Sequence, residues 1–195
     1  DEAGFRLIKT LPVAAGLGGG SADAAAALRL LCRRDGIAID DPRVIALAAE
    51  LGADVPACLG SRPMWGTGRG DRLLAADGVP AGMATLLVNP SRPLSTGAVF
   101  QAWDGRDRGA LSEGDAWTAA REGRNDLEPP ALALCPAIGD VLGALNAQPG
   151  ASLVRMSGSG ATCFALFADA GDRDAAARAI RMTRPDWWAL ETALR

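Results

Sequence analysis

Apolar and polar residues alternate along Phe5–Thr10, the period of a half-buried strand, and Leu11-Pro12 ends it. From Ser21 to Arg34 the apolar spacing becomes helical. Arg29, Arg33 and Arg34 lie toward the C-terminal end, where the dipole favours positive charge, and Gly36 closes the run. Asp40-Asp41-Pro42 reads as a cap and first-turn proline for a second helix, Pro42–Leu51, stopped by Gly52. Residues 63–75 place Gly66, Gly68 and Gly70 before a short apolar run and predict a hairpin, since no helical pattern follows the glycines. Met83–Val88 is continuously apolar, as a buried central strand is, and Asn89-Pro90 ends it. Ser95 then caps a short helix. Residues 104–124 mix Gly, Asp and Arg without a period and predict a mobile surface loop. Asn125 to Leu145 is helical, punctuated by Pro129, Pro130 and Pro136, and ends near Pro149-Gly150. Ser152–Phe167 reads as strand, Ser157-Gly158-Ser159-Gly160 loop and strand. A helix over Asp172–Met182 and a strand near Trp187–Leu190 complete an α+β order.

Composition narrows the chemistry. The 195 residues, 49% of them hydrophobic, suffice for one large domain or two small ones. With 20 basic and 23 acidic residues and no basic block, the net charge of −3 argues against nucleic acid as a partner. No apolar run reaches membrane-spanning length and no secretory signal opens the chain, so the cytoplasm is the expected compartment. Cys32, Cys58, Cys135 and Cys163 are widely spaced in apolar stretches, which predicts buried reduced thiols rather than ligands or disulfides. Histidine is absent, which excludes Ser-His-Asp, Cys-His and His-metal chemistry within this chain. Tyrosine is absent too. Acid–base work falls to carboxylates, cysteine or the single lysine, Lys9, which reads as a solvated strand-end residue or a phosphate contact.

The densest chemical signal is Pro12–Leu28. Gly16, Gly18, Gly19 and Gly20 remove side chains where the backbone turns, and an alanine-rich helix former follows at once. Free N–H groups and the positive end of a helix dipole then converge, which suits phosphate oxygens. Ser21 can cap the helix or turn its hydroxyl to a phosphate or metal-bound water, and Ala22 keeps the first turn slim. A plain strand-to-helix connector is the alternative. A P-loop would need Lys and then Ser or Thr after Gly20, where Ser21 and Ala22 stand. A dinucleotide fingerprint would need glycine or alanine at Ser21, although Asp40 and Asp41 lie at a tolerable distance for a ribose carboxylate. Asp54, between Ala53 and Val55, has no charged neighbour in sequence. On its residues alone it reads as a helix cap or turn, or, if buried, as a group needing a partner in space.

PVAAGLGGGSADAAA at Pro12–Ala26 resembles the central signature of the GHMP kinase superfamily, and GLGGGSADAAA is similar to its isoprenoid-pathway branch. Further matches follow in order: LGADVP at Leu51–Pro56, NPSRPLSTGAVF at Asn89–Phe100, NDLEPPAL at Asn125–Leu132 and MSGSGATCFALF at Met156–Phe167. Five ordered motifs span nearly the whole chain. The resemblance implies a two-layer α+β fold with an incomplete N-terminal part like domain 2 of ribosomal protein S5, over residues 1–75, and a ferredoxin-like C-terminal part over residues 76–195. It implies ATP as cofactor with Mg²⁺, held by Pro12, Gly16, Leu17, Gly18, Gly19, Gly20, Ser21 and Ala22. Asp54 becomes the catalytic base that takes the proton of the acceptor hydroxyl. The substrate implied is 4-diphosphocytidyl-2-C-methyl-D-erythritol, with Thr96 near its phosphates, Phe100 against its cytosine or else in the core, and Gly158, Ser159 and Gly160 shaping the pocket.

Asp126 and Glu128 are candidate magnesium ligands, or exposed residues beside Pro129, and the metal ligands stay unassigned. The resemblance also implies a segment before Phe5, with a lysine partnering the catalytic aspartate, a His/Tyr-containing stretch for cytidine and part of the adenine site, which this sequence does not contain. Ala22 stands where many members have a second serine. Another small-alcohol GHMP kinase, or a non-catalytic nucleotide-binding remnant, stay open as alternatives.

Overall fold

The structure is a computed structural model that describes residues 4–68, 70, 72–111 and 115–194. The chain divides into two compact units, one of Asp1–Leu11 with Gly18–Asp77 and the other of Pro12–Leu17 with Gly78–Arg195.

The first unit holds helices α1 (Gly19–Asp35), α2 (Pro42–Leu51) and α3 (Val55–Gly60), then strands β1 (Met64–Thr67) and β2 (Arg72–Ala75). Helix α1 starts two residues earlier than the pattern predicts, because Gly18 takes up a left-handed conformation (φ 62°) and the chain enters the helix on glycines. Ser21 therefore lies inside the first turn and does not cap it; no side chain caps this helix. At the other end Gly36, also left-handed, closes the helix by donating its N–H to the Cys32 carbonyl. Helix α2 has the predicted bounds, with the Asp41 carboxylate accepting from the Arg43 N–H ahead of Pro42. Ala25, Leu28 and Cys32 of α1, Val44 and Ala48 of α2 and Val55 and Leu59 of α3 form this unit's small core. The Arg29 guanidinium ties α1 to α3 by donating to the carbonyls of Cys58 (2.7 Å) and Leu59 (3.3 Å).

Strands β1 and β2 form the predicted antiparallel hairpin, with Gly66 opposite Leu73; the turn positions 69 and 71 lie outside the described residues. The strand predicted at Phe5–Thr10 is not formed. Phe5, Leu7 and Ile8 are 54%, 63% and 73% exposed, and among the described residues no strand pairs with them. Alternation specifies a face, but a strand also requires a ladder partner.

The second unit contains β3 (Ala84–Asn89), α4 (Thr96–Ala102), α5 (Ala116–Glu122), α6 (Glu128–Leu134), α7 (Ala137–Asn146), β4 (Ala151–Met156), β5 (Cys163–Phe167), α8 (Ala170–Thr183) and β6 (Trp188–Ala193). Its sheet runs β4-β5-β3-β6, all antiparallel. The strands and crossovers follow the ferredoxin-like β-α-β-β-α-β plan, with extra helices in the first crossover. Register and period two sort the side chains: Leu86 and Val88 of β3, Cys163, Ala165 and Phe167 of β5, and Val154 and Met156 of β4 join one core with Ile138, Val141 and Leu145 of α7 and Ala176, Ala177 and Ile180 of α8.

The loop predicted over 104–124 is corrected in its second half. Asp115 accepts from the N–H groups of Trp117 and Thr118 and starts α5, a seven-residue helix that fully buries only Ala119, too little to leave a sequence period. Residues 104–111 are irregular and mostly exposed, and 112–114 lie outside the described residues. The single helical run predicted from Asn125 is two helices, α6 and α7, divided at Cys135-Pro136.

Candidate functional site

In the first unit, the start of α1 is uncapped. The earliest intrahelical bond runs from the Ala22 N–H to the Gly18 carbonyl, so the N–H groups of Gly19, Gly20 and Ser21 precede any intrahelical partner. A Cβ built on Gly18 or Gly20 would meet nothing within 4 Å, which leaves the helix end open to an anion. One on Gly19 would lie 3.1 Å from the Lys9 Nζ. Lys9 is therefore neither a free strand-end residue nor a free phosphate donor: its ammonium lies against the first turn of α1 in an ion pair with the Asp23 carboxylate. The pair is neutral as a whole, so the positive character at this helix end comes from the dipole and its free N–H groups. Ser21 is half-buried and Ala22 exposed.

Asp54 occupies the position before α3, but its carboxylate makes no capping bond and the residue is exposed. Of the readings its residues alone allowed, the turn holds: Asp54 lies in the turn before α3, neither capping by its side chain nor buried. Its charge is felt locally: burial first, and then the Asp54 carboxylate, push the Cys58 thiol above its ordinary value, with Arg29 opposing.

In the second unit, Pro12–Leu17 lies against the loop between β4 and β5. The Ser157 hydroxyl donates to the Gly16 carbonyl (2.8 Å), and the Thr162 N–H donates to that of Ala15 (3.2 Å). Gly16 has φ +73°, and a Cβ there would stand 2.5 Å from the Gly160 oxygen and 2.6 Å from the Ser157 oxygen. Only glycine fits. Pro12, Gly16 and Leu17 are half-buried, Gly158 is exposed, and Ser159 and Gly160 are buried.

Two asparagines to which sequence reasoning gave no role hold this loop. Asn125 donates its amide to the carbonyls of Met156 (3.2 Å) and Gly158 (2.7 Å), while its own oxygen accepts from the Leu127 N–H. Asn89, buried at the end of β3, donates to the Thr162 hydroxyl (2.9 Å) and accepts from the Ser91 N–H. The only signal for either was its place in a quoted motif, just before a turn or helix.

Thr96, exposed at the first position of α4, shares a 3.0 Å hydrogen bond with the Ser159 hydroxyl. Phe100, one turn on, is 55% exposed. It does not fill the core, and its ring is open to a ligand. Asp126 is engaged by Arg124, and among the described residues no group of three or more acidic or cysteine side chains is placed to hold a metal. All four cysteines are free, and Cys32, Cys135 and Cys163 are buried, as expected.

Residues 2–62 match the family model for the GHMP kinases N terminal domain, and residues 106–183 that for GHMP kinases C terminal. A 4-diphosphocytidyl-2-C-methyl-D-erythritol kinase of Rhizorhabdus wittichii is 64% identical over 193 residues, covering 98% of this chain and 66% of its own length. The same-named protein of Sphingopyxis alaskensis is 51% identical, covering 97% of this chain and 68% of itself. The chain thus spans about two thirds of the length of these relatives. A crystal structure of 4-(cytidine 5'-diphospho)-2C-methyl-D-erythritol kinase superposes with a TM-score of 0.76 at 34% identity, over 94% of this chain and 68% of that one. A homoserine kinase from Cytophaga hutchinsonii, 18% identical with a TM-score of 0.72 over 96% of this chain and 68% of its own, shares the fold.

Proposed function

Because this chain belongs to the GHMP kinase family, we propose that it carries the phosphate-handling and substrate-handling residues of a 4-diphosphocytidyl-2-C-methyl-D-erythritol kinase. The reaction is transfer of the γ-phosphate of ATP to the 2-hydroxyl of that substrate, a step of the non-mevalonate isoprenoid route, in the cytoplasm. The observation that carries the reading is the 64% identity, sustained over 193 residues, to a relative of that name.

ATP supplies the phosphoryl group. The N–H groups at the start of α1, at Gly19, Gly20 and Ser21, donate to its phosphate oxygens, and the uncapped dipole favours their charge. Pro12, Gly16, Leu17, Gly18 and Ala22 shape the same segment, with Gly16 held by the loop at Ser157. Asp54, free of a capping bond, accepts the proton of the attacking hydroxyl as the new P–O bond forms and ADP leaves. Mg²⁺ would be held largely by the nucleotide's own phosphate oxygens and would neutralise part of their charge, which needs no cage of three or more carboxylate or thiol side chains, and none is placed for one among the described residues. Thr96 meets the substrate's diphosphate, the exposed Phe100 ring stacks on cytosine, and Gly158, Ser159 and Gly160 form the floor beside them.

Calorimetry tests the substrate. Titration of this chain, and of a version extended with the third of the Rhizorhabdus relative that the match does not cover, should show binding of 4-diphosphocytidyl-2-C-methyl-D-erythritol and none of homoserine or mevalonate. Preference for a small alcohol without the cytidine diphosphate would contradict the reading.

A further inference from the structure

We propose that Ser159 is a positioning residue for Thr96, aligning its hydroxyl so that Thr96 donates a hydrogen bond to an anionic oxygen of the substrate's diphosphate. The inference rests on the substrate proposed above, but its geometry stands apart from it.

Ser159 is 6% exposed, while Thr96 is exposed. Of the two hydroxyls 3.0 Å apart, the one a ligand meets is that of Thr96. The shared bond uses one proton and leaves the other unassigned. When Ser159 donates, the Thr96 proton is free to point outward. When Thr96 donates, only its lone pairs face outward, and these repel an anion. An anionic oxygen near Thr96 therefore selects the arrangement in which Ser159 is the donor.

The surroundings hold Ser159 firmly. The flanking Gly158 carbonyl accepts from Asn125, and the Gly160 N–H donates back to the Ser157 carbonyl (2.9 Å). The neighbouring Ser95 hydroxyl has a different task, accepting from the Ala98 N–H as the cap of α4. Thr96 and Phe100 stand four residues apart on one helix and so share a face. A fixed Thr96 rotamer thus sets where a phosphate oxygen meets the protein relative to the Phe100 ring. Without its partner, Thr96, at the first position of α4 with no preceding helical turn to hold its hydroxyl, loses the bond that selects one χ1 rotamer.

The test uses the full chain and four variants: Ser159→Ala, Ser159→Cys, Thr96→Val and the double variant Ser159→Ala/Thr96→Val. Three-bond NMR couplings of Thr96 in the free protein should report one χ1 rotamer in the parent and averaging in Ser159→Ala. Ser159→Cys, which keeps the side chain's shape at slightly larger size but donates weakly, should be intermediate and supplies the readout should Ser159→Ala fail to fold. Unchanged couplings would overturn the positioning role. With cytidine 5′-diphosphate as the probe, Thr96→Val, which loses a hydrogen bond to an anionic oxygen, should weaken binding about 10–100-fold, and Ser159→Ala, which keeps the Thr96 hydroxyl but frees its orientation, about fivefold. The double variant should bind no more weakly than Thr96→Val, whereas additive losses would refute a shared pathway. Absence of binding by the parent chain would count against the proposed substrate, and the rotamer couplings would still decide the role of Ser159.

Discussion

The main chain of Gly16 runs so close to that of Gly160 that a Cβ on Gly16 would stand 2.5 Å from the Gly160 carbonyl oxygen. Gly16→Ala therefore adds a clash with immovable backbone to the cost of a left-handed alanine, about 2–4 kcal/mol together. Gly18→Ala, at φ +62° with open space around the new methyl, meets only the conformational part, about 1–2 kcal/mol. Urea melts of the two variants should separate them in that order.

The Asn89–Thr162 hydrogen bond is buried, and Thr162 is fully shut from water. Asn89→Leu leaves that hydroxyl without its side-chain partner and removes the bond to the Ser91 N–H, so a loss of about 1–3 kcal/mol is expected. Amide exchange should quicken at residues 157–162, the loop anchored by this contact.

Thiol labelling should follow burial and charge. Cys32, Cys135 and Cys163 are buried, and Cys163 is pushed up to about 12, first by burial and then by the charges of Glu128 and Cys135. Half-buried Cys58 is also raised, so less thiolate exists at a given pH than in a free cysteine. Native iodoacetamide labelling, followed by mass spectrometry, should modify Cys58 first. Its rate should keep climbing past pH 9, and Cys163 should react only after denaturation.

Phe100→Leu should scarcely change stability, because the ring is more than half exposed. Under the proposed function it should weaken cytidine diphosphate binding by much of the value of one stacked base, about 1–3 kcal/mol. Equilibrium titration beside a thermal melt separates the two effects.

Much of this architecture was legible in the sequence for identifiable reasons. Helix α2 carries its own punctuation in Asp41-Pro42 and Gly52, and β3 is a continuous apolar run between turn signals, so local chemistry alone bounds both. Phe5–Thr10 failed because its alternation said nothing about a pairing partner. Helix α5 was hidden because a single fully buried alanine makes no period. In the candidate site, the glycines and Asp54 stood out by composition and motif. The bonds from Asn125 to Gly158, across 33 positions, and from Ser157 to Gly16, across 141, are set by the fold and leave no mark in local sequence.

Under the proposed function, Asp54 accepts the proton of the attacked alcohol while the amides at the start of α1 hold the phosphates. Phosphate transfer from ATP to 4-diphosphocytidyl-2-C-methyl-D-erythritol, followed in the chain extended with the third of the Rhizorhabdus relative that the match does not cover, examines this pairing of roles through Asp54→Asn. In that variant kcat should fall about 10²–10⁴-fold with the melting profile unchanged, since the carboxylate is exposed and caps nothing. Turnover equal to that of the parent would contradict it.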